Sequence, residues 1–387
     1  MTEIFRQKLK VYYSRLFPFE QVSRWLSYGK EEEEKYFSRR EFSFTHQNDI
    51  VTRYICFGDS NEFKKKVCEQ IPLKFDIGAV FNTYPQNKNS VHKLVPLEKE
   101  FVLDIDMTDY DKVRNCCKGS KVCNNCFNLI KVAVRVLDDI LRKDFAFKNI
   151  LWVFSGRRGV HCWIGDKKAR KYEDRMRSNV VSYLCALKEN KVKVCNGKMH
   201  PSFERIYSEI LLPNFENVVL EGQQLLSNEK NDHQVLSLLP ESLCKMLSEE
   251  FKTEDLTPKE KWARIKHESD RATLVSLVFD FVYPKLDVNV SRSLNHLLKS
   301  VFAVHPSTGK ICIPLDPQKL DSFNVDQVPT LESVLKDLDD WKREDNIEDY
   351  KKTSLEEHIQ FFKKKFVDPL LFSLSKEENS NQATTDF

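Results

Sequence analysis

Residues 100–107, Glu-Phe-Val-Leu-Asp-Ile-Asp-Met, constrain the fold more than any other stretch of this chain. Side chains of a strand alternate between its two faces. Phe101, Leu103, Ile105 and Met107 therefore share an apolar face, and Asp104 and Asp106 share the opposite one. The apolar set needs a core behind it. The carboxylates need water or a cation in front, because paired buried anions repel and lose their hydration. A strand that turns the aspartates to water meets that need. So does a divalent cation, which prefers hard oxygen ligands, and two carboxylates so spaced can bridge two metals for in-line phosphoryl transfer. Asp109 and Asp111 add carboxylate nearby and favour the cation.

The rest of the chain can supply the core. Of 387 residues, 41% are hydrophobic and 27 are Phe, which excludes a wholly disordered chain. Lys and Arg number 61 against 58 Asp and Glu, for a net charge of +3, which excludes a histone-like protein but not a local nucleic-acid patch. No apolar run approaches the ~20 residues that span a bilayer. The start, MTEIFRQKLK, lacks the apolar stretch of a signal peptide, so no membrane and a reducing compartment are expected.

Period and punctuation divide the chain. Helix is expected over 3–28 with a break at Pro18, and the acidic run 31–34 reads as a solvated face. Strands are expected from Arg40 and over 50–57, then a helix over 61–70, a strand over 75–81 containing Gly78, and a loop over 84–90. A helix over 129–141 and strands over 149–154 and 160–164 follow. From 167 to 285 the pattern is mostly helical, with a long helix over 172–188, an apolar stripe over 235–247, and a continuation over 262–281 that a charged stretch interrupts. Strands return over 287–290 and 310–314, and the polar end from Ser375 is expected to fray. This order gives an α/β (mixed α+β) core with an inserted or adjacent, mainly helical subdomain.

Two further clusters carry chemistry. Ser155-Gly-Arg-Arg-Gly159 joins two strands, with His161 just beyond. Its glycines permit close approach to the backbone, its amides can form an anion nest, and Arg157 and Arg158 offer donor forks matched to phosphate. A hairpin with ordinary solvated arginines is the alternative. Of eleven cysteines, Cys56, Cys68, Cys162, Cys185, Cys195, Cys244 and Cys312 are scattered and read as free thiols. Cys116, Cys117, Cys123 and Cys126 fall within eleven residues. Four thiolates favour tetrahedral zinc, with an iron–sulfur centre or free thiols as alternatives.

At this length the motifs are similar to one family. DIDMTDYD at 104–111, the cysteine cluster and SGRRGVHCW at 155–163 resemble the small catalytic subunit of eukaryotic DNA primase, among the archaeo-eukaryotic primases. YYSRLFPFEQVSRWLSYG at 12–29, REFSFT at 40–45, KFDIGAVF at 74–81, LDVNVSRSLNHLLKS at 286–300 and VHPSTGKICIPLD at 304–316 extend the likeness. It is strong over 1–185 and 283–350 and weak over 186–282. It implies a discontinuous primase core over 1–185 and 283–350 with a zinc motif at 116–126. A helical subdomain over 186–282 and a C-terminal helix and polar tail over 351–387 complete the chain.

The resemblance implies synthesis of short RNA primers on single-stranded DNA from ribonucleoside triphosphates, in the nucleus. The implied partners are a large, iron–sulfur primase subunit and the catalytic and accessory subunits of DNA polymerase alpha. Asp104, Asp106 and Asp287 would hold two Mg²⁺ or Mn²⁺ ions, and Cys116, Cys117, Cys123 and Cys126 a structural Zn²⁺. Ser155, Arg157, Arg158 and His161 match contacts to the incoming nucleotide, Lys299 and His305 match further triphosphate contacts, and Asn289 is close by. Glu41, Arg53 and Lys74 match polar residues near the active centre. Lys285 stands where some members carry arginine, which keeps the charge and loses the bidentate fork. A primase–polymerase using deoxynucleotides and a non-catalytic assembly subunit are the other functions this residue set allows.

Overall fold

The computed structural model describes residues 3–29, 36–90, 92–188, 191–192, 194–195, 198–342 and 346–385. The acidic run 31–34 and the side chain of Cys195 lie outside the described set. Among the described residues no helix is long and apolar enough to cross a membrane.

Two antiparallel sheets form the body. The first contains β1 (Arg40–Thr45), β2 (Val51–Ile55) and β3 (Lys74–Phe81), with β1 in the middle, and β4 (Pro96–Glu98) also pairs with β3. The free side of β3 is taken by Leu298–Lys299, more than 200 residues later, with Lys299 opposite Asp76. In the second, β7 (Gly159–Ile164) runs between β5 (Phe101–Asp106) and β6 (Ile150–Phe154), and Pro314–Leu315 covers the other side of β6. The segment 285–315 thus closes both sheets.

The apolar face of β5 is buried as its alternation requires: Phe101, Leu103 and Ile105 are fully inaccessible, and Asp104 and Asp106 are half-buried on the other face. Helix Asn124–Lys143 lays Phe127, Ile130, Val134, Leu137 and Leu141 into the same core. Trp25 of helix Phe19–Ser27 meets Trp163 of β7 edge-on at 5.2 Å and also packs against Phe362 and Phe366, so both ends of the chain cover this sheet. Truncating one such buried Trp removes about 3–5 kcal/mol.

Several elements depart from expectation. Residues 287–290 are not a strand: the Asp287 carboxylate accepts the Asn289 N–H at 3.0 Å and caps a short helix, Val288–Arg292. A short Asp side chain favours that local bond over a ladder. In 310–314 only isolated bridges and the edge pairing of Pro314 form. The helix expected over 172–188 is Asp174–Leu184. The stripe 235–247 belongs to two helices, Glu229–Leu236 and Glu241–Thr253, parted before Pro240. The stretch 262–281 is likewise two helices, Pro258–Glu268 and Arg271–Val282, the second capped by Asp270. The C-terminal helix runs Asp368–Thr385, through the end expected to fray.

Candidate active centre

Residue pairing on β5 and β7 builds the floor. Asp104 lies opposite His161 and Asp106 opposite Gly159. That register needs a glycine: a Cβ on residue 159 would sit 2.2 Å from the Ile105 carbonyl oxygen. The third carboxylate arrives from the far end of the chain. The Asp287 N–H donates to the Asp104 carbonyl at 3.1 Å, which docks the Val288–Arg292 cap onto β5 beside the pair. Burial first, then the charges of Asp106 and Asp287, push the Asp104 carboxyl up to about 7. Asp106 is held below its usual value. Burial opposes this, but Arg158 donates to it at 2.7 Å and Thr108 donates through N–H at 2.8 Å and Oγ1 at 2.7 Å. One carboxyl is thus kept near neutrality by anions and its neighbour is neutralised by a guanidinium. An excess of negative charge at Asp104 is what a divalent cation would relieve, so the residues fit such an ion.

The turn between β6 and β7 is tied together from within. The Ser155 N–H donates to the Gly159 carbonyl at 2.9 Å, and the Gly159 N–H donates to Ser155 Oγ at 3.0 Å. Gly156 adopts φ +84° and passes so close to His305 that a Cβ would lie 2.7 Å from that residue's Cβ. Lys299 Nζ donates to the Ser155 carbonyl at 3.2 Å, and Thr308 Oγ1 to the Gly156 carbonyl at 2.6 Å. The first sheet and the 305–308 loop therefore meet the second sheet at this turn.

Beside the carboxylates gathers positive charge. Burial, then Lys299, Arg157, Lys74 and Arg158, drive the His305 imidazole down to about 3. His305 Nδ1 accepts the Ser307 N–H at 3.3 Å, which leaves Nε2 as the protonated, donating nitrogen. Burial and Lys299 likewise bring His161 to about 3, so its 3.8 Å approach to Asp104 joins a neutral ring to the carboxyl and is no ion pair. Arg157 makes no hydrogen bond or ion pair among the described residues. A cluster of four cations around two neutral histidines can take an anion of several charges.

The remaining site candidates spread outward. Arg53 grips Glu41 with two bonds, 2.9 and 3.1 Å, and donates to the Asn295 carbonyl at 3.3 Å. Lys74 approaches Asp49 at 3.6 Å. Lys285 turns away from the carboxylates: its Nζ donates to the Asp280 carbonyl at 3.1 Å, and its N–H to the Tyr110 hydroxyl. Asn289 is exposed beside Asp287. Asp76 was missed by the sequence reading. Half-buried opposite Lys299, it has its carboxyl pushed up by desolvation and pulled back by Lys299, Lys74 and Arg53. The alternation of KFDIGAVF puts Asp76 on the face of Lys74, and that signal could have found it.

The four cysteines form a compact set. Their sulfurs all lie within 4.8 Å of one another, with Cys123–Cys116 at 3.5 Å and Cys123–Cys126 at 3.8 Å. A tetrahedral Zn–S length of ~2.3 Å requires sulfurs about 3.8 Å apart, so the residues fit a metal. Cys123 and Cys126 open helix Asn124–Lys143, where unpaired N–H groups favour thiolates. Burial pushes the Cys123 thiol up, but the Cys126 backbone and the three neighbouring thiols bring it down to about 7. Buried Arg114 braces the loop through Asp111 at 2.6 Å, the Lys121 carbonyl at 2.8 Å and the Gly119 carbonyl at 2.6 Å.

Comparison with known proteins adds relatives to this geometry. Residues 103–317 match a family model described as DNA primase small subunit. The chain is 37% identical to a DNA primase small subunit of Drosophila melanogaster, over 93% of this chain and 90% of that one. It is 38% identical to that of Schizosaccharomyces pombe, over 87% and 78%. Among solved structures, the polymerase domain of Mycobacterium tuberculosis ligase D in complex with DNA aligns over 88% of this chain and 90% of that one, at 12% identity and a TM-score of 0.38, too remote to bear on the reading.

Proposed function

The chain belongs to the DNA primase small-subunit family, a family of nucleotidyltransferases, and from that premise we propose that it makes short RNA primers on single-stranded DNA by two-metal nucleotidyl transfer. The observation that supports this most is the Asp287 N–H on the Asp104 carbonyl, which sets a third carboxylate beside the strand pair and opposite a cluster of cations. On this reading Asp104, Asp106 and Asp287 hold two Mg²⁺ or Mn²⁺ ions. Bound there, such ions supply charge for the attacking hydroxyl, the α-phosphate and the leaving pyrophosphate.

The chain's own groups do the rest. Asp104, whose carboxyl is pushed up by burial and by the anions around it, would lose its proton to solvent on holding a cation. Arg158 exchanges Asp106 for a phosphate oxygen, and Arg157, Lys299 and Lys74 take the remaining phosphate charge. His305 offers its Nε2–H, and His161 turns its Nε2 toward the carboxylate centre, 3.8 Å from Asp104, while its Nδ1 stays buried. Both imidazoles are neutral near pH 7, so they donate hydrogen bonds without adding charge. Ser155 and Gly159 keep the turn rigid, so these donors are held before the nucleotide arrives. Arg53 and Asn289 flank the centre, buried Glu41 holds Arg53 in place, and Lys285 stands outside it on the Asp280 carbonyl.

The reading extends to the whole chain: a core of 1–185 and 283–350, a helical subdomain of 186–282, and a structural Zn²⁺ on the four cysteines. It further has the chain act in the nucleus beside an iron–sulfur large subunit and DNA polymerase alpha with its accessory subunit. Primer synthesis on single-stranded DNA with ribonucleotides or deoxynucleotides tests the central statement. Products from NTPs in preference to dNTPs are expected. Equal or better use of dNTPs would instead favour a primase–polymerase.

A further inference from the structure

Beside the cysteine loop lies a buried amide that the family reading does not use. Gln223 follows a helical stretch ending in Phe215–Glu221 and precedes a turn in which Gln224 and Leu226 adopt φ of 52° and 60°. It is 1% exposed. Its Oε1 accepts two backbone N–H groups of the loop, from Asn115 at 2.9 Å and from Cys116 at 3.4 Å. Those donors fix the amide's orientation, because an NH₂ group cannot accept them. Its Nε2 must then face the other way, where it is buried and has no hydrogen-bond partner. The side chain also lies beside the Cys116 thiol.

A buried N–H pair costs free energy unless a bound group accepts it. Thiolate sulfurs of a filled metal centre are such acceptors. The loop is tied to the same region elsewhere: Asn115 Nδ2 donates to the Gln223 carbonyl at 3.0 Å, and Gln234 Nε2 donates to the Lys112 carbonyl. On the opposite side Arg114 reaches Cys126 Sγ at 3.9 Å.

We propose that Gln223 is an outer hydrogen-bond donor to the metal-bound cysteine thiolates, and that through it the metal centre clasps the helical stretch 201–236 to the catalytic sheet. The proposal rests on the zinc reading of the cysteine cluster. It assigns the metal a reach beyond its own loop: an ion bound by residues 116–126 orders a segment about a hundred residues later.

The test is made on the full chain loaded with Zn²⁺. Gln223→Glu keeps an oxygen for the Asn115 and Cys116 amides but turns the donor into an anion facing thiolates. Gln223→Leu removes both functions. Zinc content per chain is measured first, then the rate of release to excess chelator. Both variants should release zinc at least ~10-fold faster than the native chain, the size found when outer partners of metal ligands are removed. Hydrogen exchange on the native chain gives an answer even if a variant does not fold. Chelation should deprotect amides in 215–236 while those of β5, β6 and β7 stay protected. Native release rates in both variants, or deprotection spread evenly over the chain, would overturn the inference and leave the zinc reading standing. A native chain that binds no zinc would overturn both.

Discussion

Asp104 is the residue whose chemistry depends most on its surroundings. Its carboxyl is pushed from 3.8 to about 7 by burial and neighbouring anions. A carboxyl raised on folding binds protons more tightly in the native state, so stability falls as pH rises from about 4 to about 7 and the full penalty applies above that. Asp104→Asn removes the penalty, on the order of 2–4 kcal/mol for a shift of this size. Without divalent cations the variant should melt higher than the native chain at pH 8 and at nearly the same temperature at pH 4.5; a thermal scan at both pH values reads this. Arg157 and Arg158 should part company in calorimetric titrations. Arg157→Ala weakens nucleoside triphosphate binding and leaves Mn²⁺ binding unchanged, because Arg157 has no carboxylate partner. Arg158→Ala weakens triphosphate binding but strengthens Mn²⁺ binding, because Asp106 loses the cation that occupies it. Equal effects on Mn²⁺ would contradict the pairing. Alternation made the Asp104/Asp106 face legible from sequence, since the period of a strand is its own local property. The Arg158–Asp106 pair was not legible, because it depends on the register between β5 and β7.

At the scale of elements, the β6–β7 turn is the tightest piece of the centre. Its closing residue, Gly159, has an ordinary extended backbone, and space alone excludes a side chain there. Gly159→Ala must force β5 and β7 apart next to Asp106. A loss of at least ~2 kcal/mol is expected in denaturant unfolding, together with weakened cation binding. A variant of native stability would place the strands farther apart than described. Hydrophobic period located β1, β3, β5, β6 and β7 closely. It failed at 287–290, where Asp-Val-Asn-Val alternates like a strand and yet one cap bond from Asp287 starts a helix. It also ran one stripe across Pro240, because apolar residues continue on both sides of that break, whereas the charged stretch before Arg271 marks the second break.

Across the whole molecule, the centre exists only because the chain returns to itself. Lys299 pairs with Asp76, Ile313 and Leu315 close onto β6, and Asp287 docks on Asp104, all after the helical stretch that begins at Pro201. No local pattern signals such closure; the likeness of 286–300 and 304–316 to primase motifs suggested it, and the hydrogen bonds supply the physical account. The central claim is that residue 287 completes a three-carboxylate site with residues 104 and 106. It is tested most directly by Asp104→Asn, Asp106→Asn and Asp287→Asn assayed side by side for primer synthesis, together with the large primase subunit and Mg²⁺ on single-stranded template. Each should lose at least ~100-fold in synthesis, the scale of a preorganised charge removed from a reacting phosphate, while cation-free Asp104→Asn melts no lower than the native chain and cation-free Asp106→Asn, which gives up its bond from Arg158, melts somewhat lower. Near-native synthesis by Asp287→Asn, with Asp104→Asn inactive, would contradict the account.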